Sequence, residues 1–488
     1  MLAVLQFDGN FPVATDSESN IILLTDSYKI THHRQYPPNT TLVYSYFESR
    51  GHQKRGFPET CFFGLQYLIK RHLLGPVVTQ EKIDEAREIL KLHFGDDKLF
   101  NEEGWQYILK EHDGHLPVRI KAVPEGSIIP EKNVLITVEN TDPKCFWLTN
   151  YLETLLVQVW YPMTVCTNSR AQKKLIGQYL EETADNLDGL SFKLHDFGFR
   201  GSTSVELFSG LLRINRAVNI NYHCQTEYYI TFILLTSACC ILHSLFLVGS
   251  TITSWGKENE ADAYRNMLTQ FPTGLVAVVS DSYDVWHACR DLWGDQLKSQ
   301  IEKRNGTLVV RPDSGVPHEV VISVLEILGK RFGFTYNSKG FKVLPPYIRI
   351  IQGDGISFDS LGEILQAMKE SKWSADNVAY GSGGALLQRM DRDTQKCAFK
   401  CSYAIINGKG VEVYKDPVTD SGKKSKKGQL TLEIKDGKYV TMTQGTGDPK
   451  NDILTTVFEN GKLLKDYLFN EVRANAEIHL IRKGNDFK

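Results

Sequence analysis

Between Gly274 and Met390 the sequence repeats one unit four times: a short apolar run, a polar or glycine-rich loop and a helical pattern. Continuous apolar runs predict strands that are buried on both faces, and hence a parallel sheet. Parallel α/β sheets and barrels place their active sites in the loops that follow the strands. We therefore expect an α/β fold whose functional residues lie in these four loops. The apolar runs begin at Leu275, Thr307, Tyr347 and Asn377.

The four loops carry carboxylates, an arginine and glycines. Glycines let backbone N–H groups approach a phosphate, although a tight turn without a ligand has the same sequence. Each aspartate could bind ribose hydroxyls or Mg²⁺, or could cap a helix. Arg311 could clamp a carboxamide or phosphate, or pair with Asp313. Together the loops predict a shared polyol-phosphate site. They are Asp281–Asp284, Arg311–Gly315, Gln352–Gly355 and Gly381–Gly384.

A further motif, His195–Gly201, brings an aromatic residue and an arginine together. A planar base could stack on Phe197 while Arg200 binds a phosphate. Core packing and a surface arginine are the alternatives. His195 by itself is typical of a buried structural histidine rather than a catalyst.

Outside these loops the chain alternates between strand and helix patterns. We expect a hairpin that turns at Asn407–Gly408. A late group of basic residues could be a solvated face or a pyrophosphate site; it contains Arg392, Lys400, Lys415 and Lys423–Lys427. The patterns predict strands at Thr41–Phe47, Pro117–Val123 and Leu430–Ile434, and helices at Gln80–Phe94 and Leu148–Trp160.

Charge and cysteine content narrow the class of protein. The net charge is −2, so no overall basic field favours nucleic-acid binding. Nine cysteines at no regular spacing indicate reduced thiols in the cytoplasm. The first residues lack a basic region followed by an apolar one, so we expect no signal peptide.

Further motifs join those above, and the full set is Thr25–Lys29, Tyr36–Thr40, Phe63–Tyr67, Lys193–Gly201, Val279–Asp284, Arg311–Gly315, Gln352–Gly355, Gly381–Gly384 and Ser425–Gly428. Together these motifs resemble the nicotinamide phosphoribosyltransferase family, almost continuously over 20–201 and 250–473. This resemblance implies a type II phosphoribosyltransferase α/β barrel over 156–389 and a mixed α/β domain formed by 1–155 with 390–488. It also implies a homodimer with shared active sites.

The implied reaction converts nicotinamide and 5-phosphoribosyl-1-pyrophosphate into nicotinamide mononucleotide and pyrophosphate, with Mg²⁺, in NAD salvage. The resemblance implies that Phe197 and a Tyr28 supplied by the second subunit hold the ring. Arg311 and Asp313 are the expected catalytic pair, on the carboxamide and the ribose. The other implied roles are phosphate binding by Arg200, Arg50, Arg392, Lys400 and Lys415, ribose or ribose-phosphate binding by Gly353, Asp354, Gly383 and Gly384, and a place near the metal for Asp281 and Asp313.

The resemblance stops between Gly201 and Ser250. The family has there an aspartate that reads the amide, but this segment contains no aspartate. The family also has a histidine, phosphorylated by ATP, directly before the Ser-Thr-Ile-Thr element; here Gly249 takes that place. ATP, an activator in the family, is therefore expected to have no effect.

The stretch from Tyr228 to Gly256 contains no charged residue. Segment 203–249 could be a membrane span, a buried helix, or a translated intron or shifted reading frame. Because both flanks belong to one barrel, we expect no membrane partner.

Two hypotheses of different classes follow. The first is an active nicotinamide phosphoribosyltransferase. The second is a catalytically impaired relative, or an aberrant gene product, that keeps the fold and dimerises or binds ligand. Because the atypical segment replaces central elements of the barrel, we expect the chain as written to have little or no activity. A paralogue acting on nicotinate is a third alternative, because the aspartate that reads the amide is missing.

Overall fold

The computed structural model describes residues 19–51, 58–201, 221–222, 245–246, 249–419, 424–443 and 445–478. The chain forms two compact units. The mixed unit comprises Met1–Met163 and Arg392–Leu468, and the barrel unit comprises Thr164–Asp391 and Phe469–Lys488. Most of the atypical segment 203–249 lies outside the described residues, so the alternatives for its structure stay predictions.

The limits of the units differ from the predicted domain limits at residues 156–163, 390–391 and 469–488. Leu156, Val159 and Met163 belong to the hydrophobic core of the mixed unit. In the barrel unit, Arg170 Nε donates to the Ala476 carbonyl at 2.9 Å. Core packing thus extends the mixed unit past residue 155, and hydrogen bonding holds the last described helix to the barrel unit.

The described residues form the following strands: β1 Thr40–Glu48, β2 Glu59–Cys61, β3 Val118–Ala122, β4 Ile128–Pro130, β5 Val134–Asn140, β6 Leu194–Asp196, β7 Asn221–Tyr222, β8 Leu245–Phe246, β9 Thr273–Val279, β10 Asn305–Arg311, β11 Thr335–Tyr336, β12 Lys342–Val343, β13 Ile348–Gln352, β14 Val378–Ser382, β15 Ala398–Ile406, β16 Lys409–Glu412, β17 Leu430–Lys435, β18 Lys438–Thr443, β19 Thr455–Glu459 and β20 Lys462–Leu463. The α-helices are Leu65–His72, Gln80–Phe94, Glu102–Glu111, Leu148–Tyr151, Glu153–Val157, Trp160–Thr183, Gly249–Thr253, Glu260–Gln270, Val285–His287, Lys298–Lys303, Pro317–Phe332, Phe358–Glu370, Gly384–Leu387 and Phe469–Asn475.

The central sheet of the barrel unit has seven strands in the order β7-β6-β14-β13-β10-β9-β8. All six pairings are parallel. The last strand of the sheet along the chain, β14, pairs with the first, β6, which is the strand order of a barrel and not of a doubly wound sheet. Within the described residues, β7 and β8 are the two edges of this sheet.

A second seven-stranded sheet, β16-β15-β1-β5-β3-β19-β20, organises the mixed unit. Its pairings are antiparallel. One face packs on a hydrophobic core that includes Phe47, Trp105 and Ile136. The predicted hairpin is confirmed: Asn407 and Gly408 have φ of 52° and 73° between β15 and β16, as a type I′ turn requires.

Two predicted helices differ from the structure. The helix expected over Leu148–Trp160 is divided into Leu148–Tyr151 and Glu153–Val157, and a new helix begins at Trp160. The amides of Gln158 and Val159 donate to carbonyls three residues back, which tightens the chain and ends the second helix. The helical pattern expected after the loop Asp281–Asp284 begins as an α-helix at Val285 and changes at Ala288 into a π-helix that runs to Gln296.

None of the described helices combines the length and the apolarity needed to cross a bilayer.

Candidate active site

Two aspartates connect three successive strand ends of the barrel sheet. Asp281, after β9, accepts hydrogen bonds at Oδ2 from the backbone amides of Asp313 (3.1 Å) and Ser314 (2.7 Å), which follow β10. Asp313 Oδ1 in turn accepts from the amide of Gly353, after β13, at 3.2 Å. The sequence-predicted residues Asp281, Asp313 and Gly353 therefore form one hydrogen-bonded group at the carboxyl ends of the strands.

Arg311, the last residue of β10, pairs with Asp313. Its Nε lies 2.8 Å and its Nη2 2.5 Å from Asp313 Oδ2. The guanidinium carbon also lies 5.1 Å from the centroid of the Phe197 ring, within the range of a cation–π interaction. The ion pair that sequence reasoning left open is thus formed. No described residue accepts a hydrogen bond from Arg311 Nη1, which leaves that nitrogen for a ligand.

Two glycines make room for the Phe197 ring. A Cβ at Gly381 would overlap the ring, and a Cβ at Gly353 would lie 2.9 Å from both Phe197 Cε2 and Asp313 Oδ1. The Phe197 amide donates to the Ser382 carbonyl at 3.0 Å, which fixes the residue beside the end of β14. Because the ring is only half-buried, this arrangement provides a flat apolar platform among the polar strand ends.

The remaining barrel residues predicted for the site surround this group. Asp354 is exposed, and Gln352 Nε2 donates to its backbone carbonyl at 3.0 Å. Gly383 precedes the short helix Gly384–Leu387, where a Cβ at Gly384 would meet Gln388 Oε1 at 3.5 Å. No described contact joins Arg200, Asp354 or Gly384 to Arg311 and Asp313.

Two other residues of these motifs have structural roles. Asp284 caps the following helix, since its Oδ1 accepts from the amides of Trp286 (2.9 Å) and His287 (3.0 Å). His195 is 1% exposed, and its Nε2 lies 3.0 Å from the Phe192 carbonyl. The sequence-based interpretation of His195 as a structural histidine fits this geometry.

Four of the five predicted phosphate-binding cations, all except Arg200, belong to the mixed unit, and three of them act electrostatically on the fourth, Lys400. Burial lowers the pKa of Lys400; the Glu153 carboxylate opposes this shift, and the charges of Arg50, Arg392 and Lys415 add to it. Lys400 lies on β15, opposite Tyr46 of β1. We call Arg50, Arg392, Lys400 and Lys415 the cation cluster.

Tyr28 belongs to the same unit and is 58% exposed. Its pKa is raised by partial burial and by the charges of Glu153 and Asp26, while Arg392 opposes the shift. The predicted ring-stacking tyrosine is therefore an accessible aromatic side chain in the electrostatic field of one member of the cation cluster.

A divalent cation fits Asp281 better than Asp313. Mg²⁺ prefers carboxylate and phosphate oxygens. Both oxygens of Asp313 are engaged, by Arg311 and by the Gly353 amide. Asp281 uses only Oδ2 among the described contacts, so Oδ1 could bind Mg²⁺ together with substrate oxygens.

Three residues that the structure brings to these groups were not singled out from the sequence. Gly381 was only part of the glycine loop, although its missing side chain accommodates Phe197. Lys426 lay unmarked within the basic run. Glu48 is 2% exposed at the end of β1, and the signal that could have found it is a carboxylate directly after an apolar strand.

Comparisons with known proteins agree with this arrangement. The model of the nicotinate phosphoribosyltransferase (NAPRTase) family matches residues 192–462, and that of the nicotinamide phosphoribosyltransferase N-terminal domain matches residues 20–120. The chain is 46% identical to Nicotinamide phosphoribosyltransferase of Xanthomonas campestris pv. campestris, over 94% of this chain and 98% of that protein. It is 31% identical to the protein of the same name from Acinetobacter baylyi, over 92% and 95%.

Among solved structures, nicotinate-nucleotide pyrophosphorylase from Pyrococcus furiosus matches with a TM-score of 0.59 and 14% identity. The match covers 96% of this chain and 97% of that one. At this identity the likeness concerns the fold alone. The expected fold class, a type II phosphoribosyltransferase α/β barrel with a mixed α/β domain, is confirmed.

Proposed function

The chain belongs to the nicotinamide phosphoribosyltransferase family, and we propose that it converts nicotinamide and 5-phosphoribosyl-1-pyrophosphate into nicotinamide mononucleotide and pyrophosphate in NAD salvage. One observation carries the proposal. The Phe197 ring, Arg311 and Asp313 form a single contact group at the carboxyl ends of the barrel strands.

The nicotinamide ring stacks on Phe197 in this proposal. Arg311 Nη1, which donates to no described residue, reaches the carboxamide oxygen while Asp313 keeps the guanidinium in place. Tyr28 of a second subunit covers the other face of the ring. Stacking and the arginine thereby fix the pyridine nitrogen against C1 of the ribose, and such fixed orientation lowers the entropic barrier to transfer.

The ribose and the phosphates occupy the polar groups around this platform. Gly353, Asp354, Gly383 and Gly384 line the ribose-phosphate, with Arg200 nearby. The cation cluster binds the pyrophosphate, and its positive charge stabilises the negative charge that develops as pyrophosphate leaves. The pyridine nitrogen attacks through its lone pair and carries no proton, so the reaction needs no general base.

Mg²⁺ is the proposed cofactor. Asp281 would hold it through Oδ1, with Asp313 nearby as a hydrogen-bond acceptor that orients the Gly353 amide. When bound, the ion neutralises phosphate charge on the leaving group.

A homodimer completes the proposed site. The barrel unit of one subunit supplies Phe197 and Arg311, and the mixed unit of the other supplies Tyr28 and the cation cluster. We place the enzyme in the cytoplasm, because none of the six cysteines among the described residues forms a disulfide and five of them are buried, as in a reducing compartment.

A turnover assay tests the proposal. Purified full-length chain, given nicotinamide, 5-phosphoribosyl-1-pyrophosphate and Mg²⁺, is expected to form nicotinamide mononucleotide, and nicotinate in place of nicotinamide should react more slowly. A folded chain that binds the mononucleotide in calorimetry without forming it would contradict the proposal and indicate a non-catalytic relative. Preference for nicotinate would indicate the paralogue.

A further inference from the structure

The cation cluster contains a buried carboxylate that the proposed reaction does not use. Glu48 ends β1, and its side chain is 3% exposed. Its Oε1 accepts a hydrogen bond from Arg50 Nε at 2.7 Å, and its Oε2 forms an ion pair with Lys426 Nζ. One carboxylate therefore binds a cation of the cluster with one oxygen and a lysine of the basic run with the other.

The loop that carries Lys426 is attached to the cluster at several points. The Lys426 amide donates to the Tyr46 hydroxyl at 2.9 Å, and its Nζ lies 5.6 Å from the centroid of the same ring. The neighbouring Ser425 forms two hydrogen bonds with Lys415: its amide donates to the Lys415 carbonyl at 2.9 Å, and its hydroxyl accepts from the Lys415 amide at 2.8 Å. The loop thus joins Glu48 to Lys415, a second member of the cluster.

Arg50 keeps hydrogen-bonding capacity in this arrangement. Its Nη2 is buried and has no hydrogen-bond partner within the described residues. Glu48 binds the Nε side of the guanidinium, so Nη2 can donate to an anion. Arginine and lysine lose much rotamer freedom when they are ordered, and a carboxylate that orders them in advance reduces this cost on binding.

A plain counter-ion would act in the opposite direction. A carboxylate that only neutralised the cluster would weaken its attraction for anions, and removing it would tighten anion binding. A carboxylate that orders two cations strengthens anion binding, and removing it would weaken binding although the net charge becomes more positive. The two roles therefore predict effects of opposite sign.

We propose that Glu48 is a positioning residue that holds Arg50 and brings Lys426 into the cation cluster as a fifth phosphate-binding cation. The inference rests on the proposed function, which assigns the cluster to pyrophosphate.

Calorimetric titration of the full chain with inorganic pyrophosphate and Mg²⁺ tests the proposal without requiring turnover. We expect about tenfold weaker binding by Glu48→Gln and by Lys426→Met, the loss of roughly one charge-assisted hydrogen bond each. The double variant should lose less affinity for pyrophosphate than the two single-variant fold losses multiplied together, because the two residues act as a pair. In the enzyme assay, KM for 5-phosphoribosyl-1-pyrophosphate should rise while KM for nicotinamide stays the same.

Glu433→Gln is the matched control. Glu433 is a buried carboxylate of the same unit, 2% exposed, and it faces Lys435 at 3.7 Å outside the cluster. Its variant should bind pyrophosphate like the unaltered chain. If Glu48→Gln does not fold, Glu48→Asp and Lys426→Met still measure the change in pyrophosphate affinity. The Lys426 side chain is 23% exposed, so its replacement disturbs the fold less than a change at Glu48.

Unchanged or tighter pyrophosphate binding by Lys426→Met, or by a folded Glu48 variant, would overturn the inference. So would failure of the unaltered chain to bind pyrophosphate. If the unaltered chain binds pyrophosphate but forms no mononucleotide, the proposed function fails, and the comparison of the variants still decides the role of Glu48.

Discussion

The guanidinium carbon of Arg311 lies 5.1 Å from the centroid of the Phe197 ring. The same arginine is paired with Asp313 through two nitrogens. Its position is therefore set from two sides, by an aromatic face and by a carboxylate, before any ligand binds. This contact joins the strand end of β6 to that of β10 and gives the candidate site its shape.

Removing the aromatic platform should weaken nicotinamide binding. Phe197→Ala removes the ring on which nicotinamide stacks and which holds Arg311, so we expect KM for nicotinamide to rise about tenfold, as for the loss of one aromatic stacking contact. Steady-state kinetics with each substrate varied in turn would measure this. Phe197→Tyr keeps the ring and should retain most of the affinity; a loss as large as that of the alanine variant would contradict stacking.

Adding a methyl group beside the Phe197 ring should reduce activity about as much as removing the ring. The Cβ of Gly381→Ala would overlap Phe197, so the ring must move and activity should fall by at least about tenfold. Gly362→Ala is the control. Gly362 lies in the helix Phe358–Glu370, where alanine is more favourable than glycine, and the new Cβ would lie at an ordinary contact distance of 3.7 Å from Leu175 Cδ2. Equal activities of the two variants would show that the ring position is unimportant.

The pair formed by Arg311 and Asp313 should matter far more than a surface pair. Asp313→Asn removes the charge that positions Arg311, and we expect kcat/KM to fall about 100-fold or more. The surface pair of Arg331 Nη1 and Asp295 Oδ1, at 2.8 Å, offers a comparison. Asp295→Asn should leave kcat/KM unchanged, because exposed ion pairs contribute little. A fall in kcat/KM below about tenfold for Asp313→Asn would contradict its assigned role.

Pyrophosphate binding should take up protons at alkaline pH. Burial, with the charges of Arg50, Arg392 and Lys415, lowers the pKa of Lys400 against the opposing effect of Glu153. A bound polyanion favours the protonated amine, so the proton is regained on binding and affinity falls as pH rises. Calorimetry at alkaline pH in two buffers of different ionisation enthalpy would measure the uptake.

Lys400→Arg is the control for this measurement, because its side chain stays charged at that pH. It should bind pyrophosphate with less proton uptake than the unaltered chain. Equal uptake by both proteins would exclude Lys400 as the group that takes up the proton.

ATP should leave the reaction unchanged. In the family that this sequence resembles, a phosphate-accepting histidine directly precedes the Ser-Thr-Ile-Thr element. Here Gly249 occupies that position, before Ser250–Thr253, and glycine has no side-chain nucleophile. Initial rates of mononucleotide formation with and without ATP should agree, and no ADP should accumulate. ATP hydrolysis coupled to product formation would contradict this expectation and indicate another phosphate acceptor.

Local patterns were sufficient for many of the elements. The spacing of apolar residues predicts the helix Gln80–Phe94 with the limits that the structure has. Asn407–Gly408 predicts its hairpin because few residues other than asparagine and glycine adopt two successive positive φ values readily. The prediction of one helix over Leu148–Trp160 was wrong. The hydrogen bonds that end the second helix at Gln158 depend on backbone geometry, which an apolar run of residues does not indicate.

The sequence by itself determined the parallel sheet, the four loops and the types of residue they carry, because burial and strand period are local properties of the chain. Only the tertiary structure decided which side chains meet. It paired Arg311 with Asp313 and set both beside Phe197. It also joined Glu48 to Lys426, which lies 378 residues further along the chain. Contacts of this kind depend on which strands lie side by side, and no periodicity in the sequence records that.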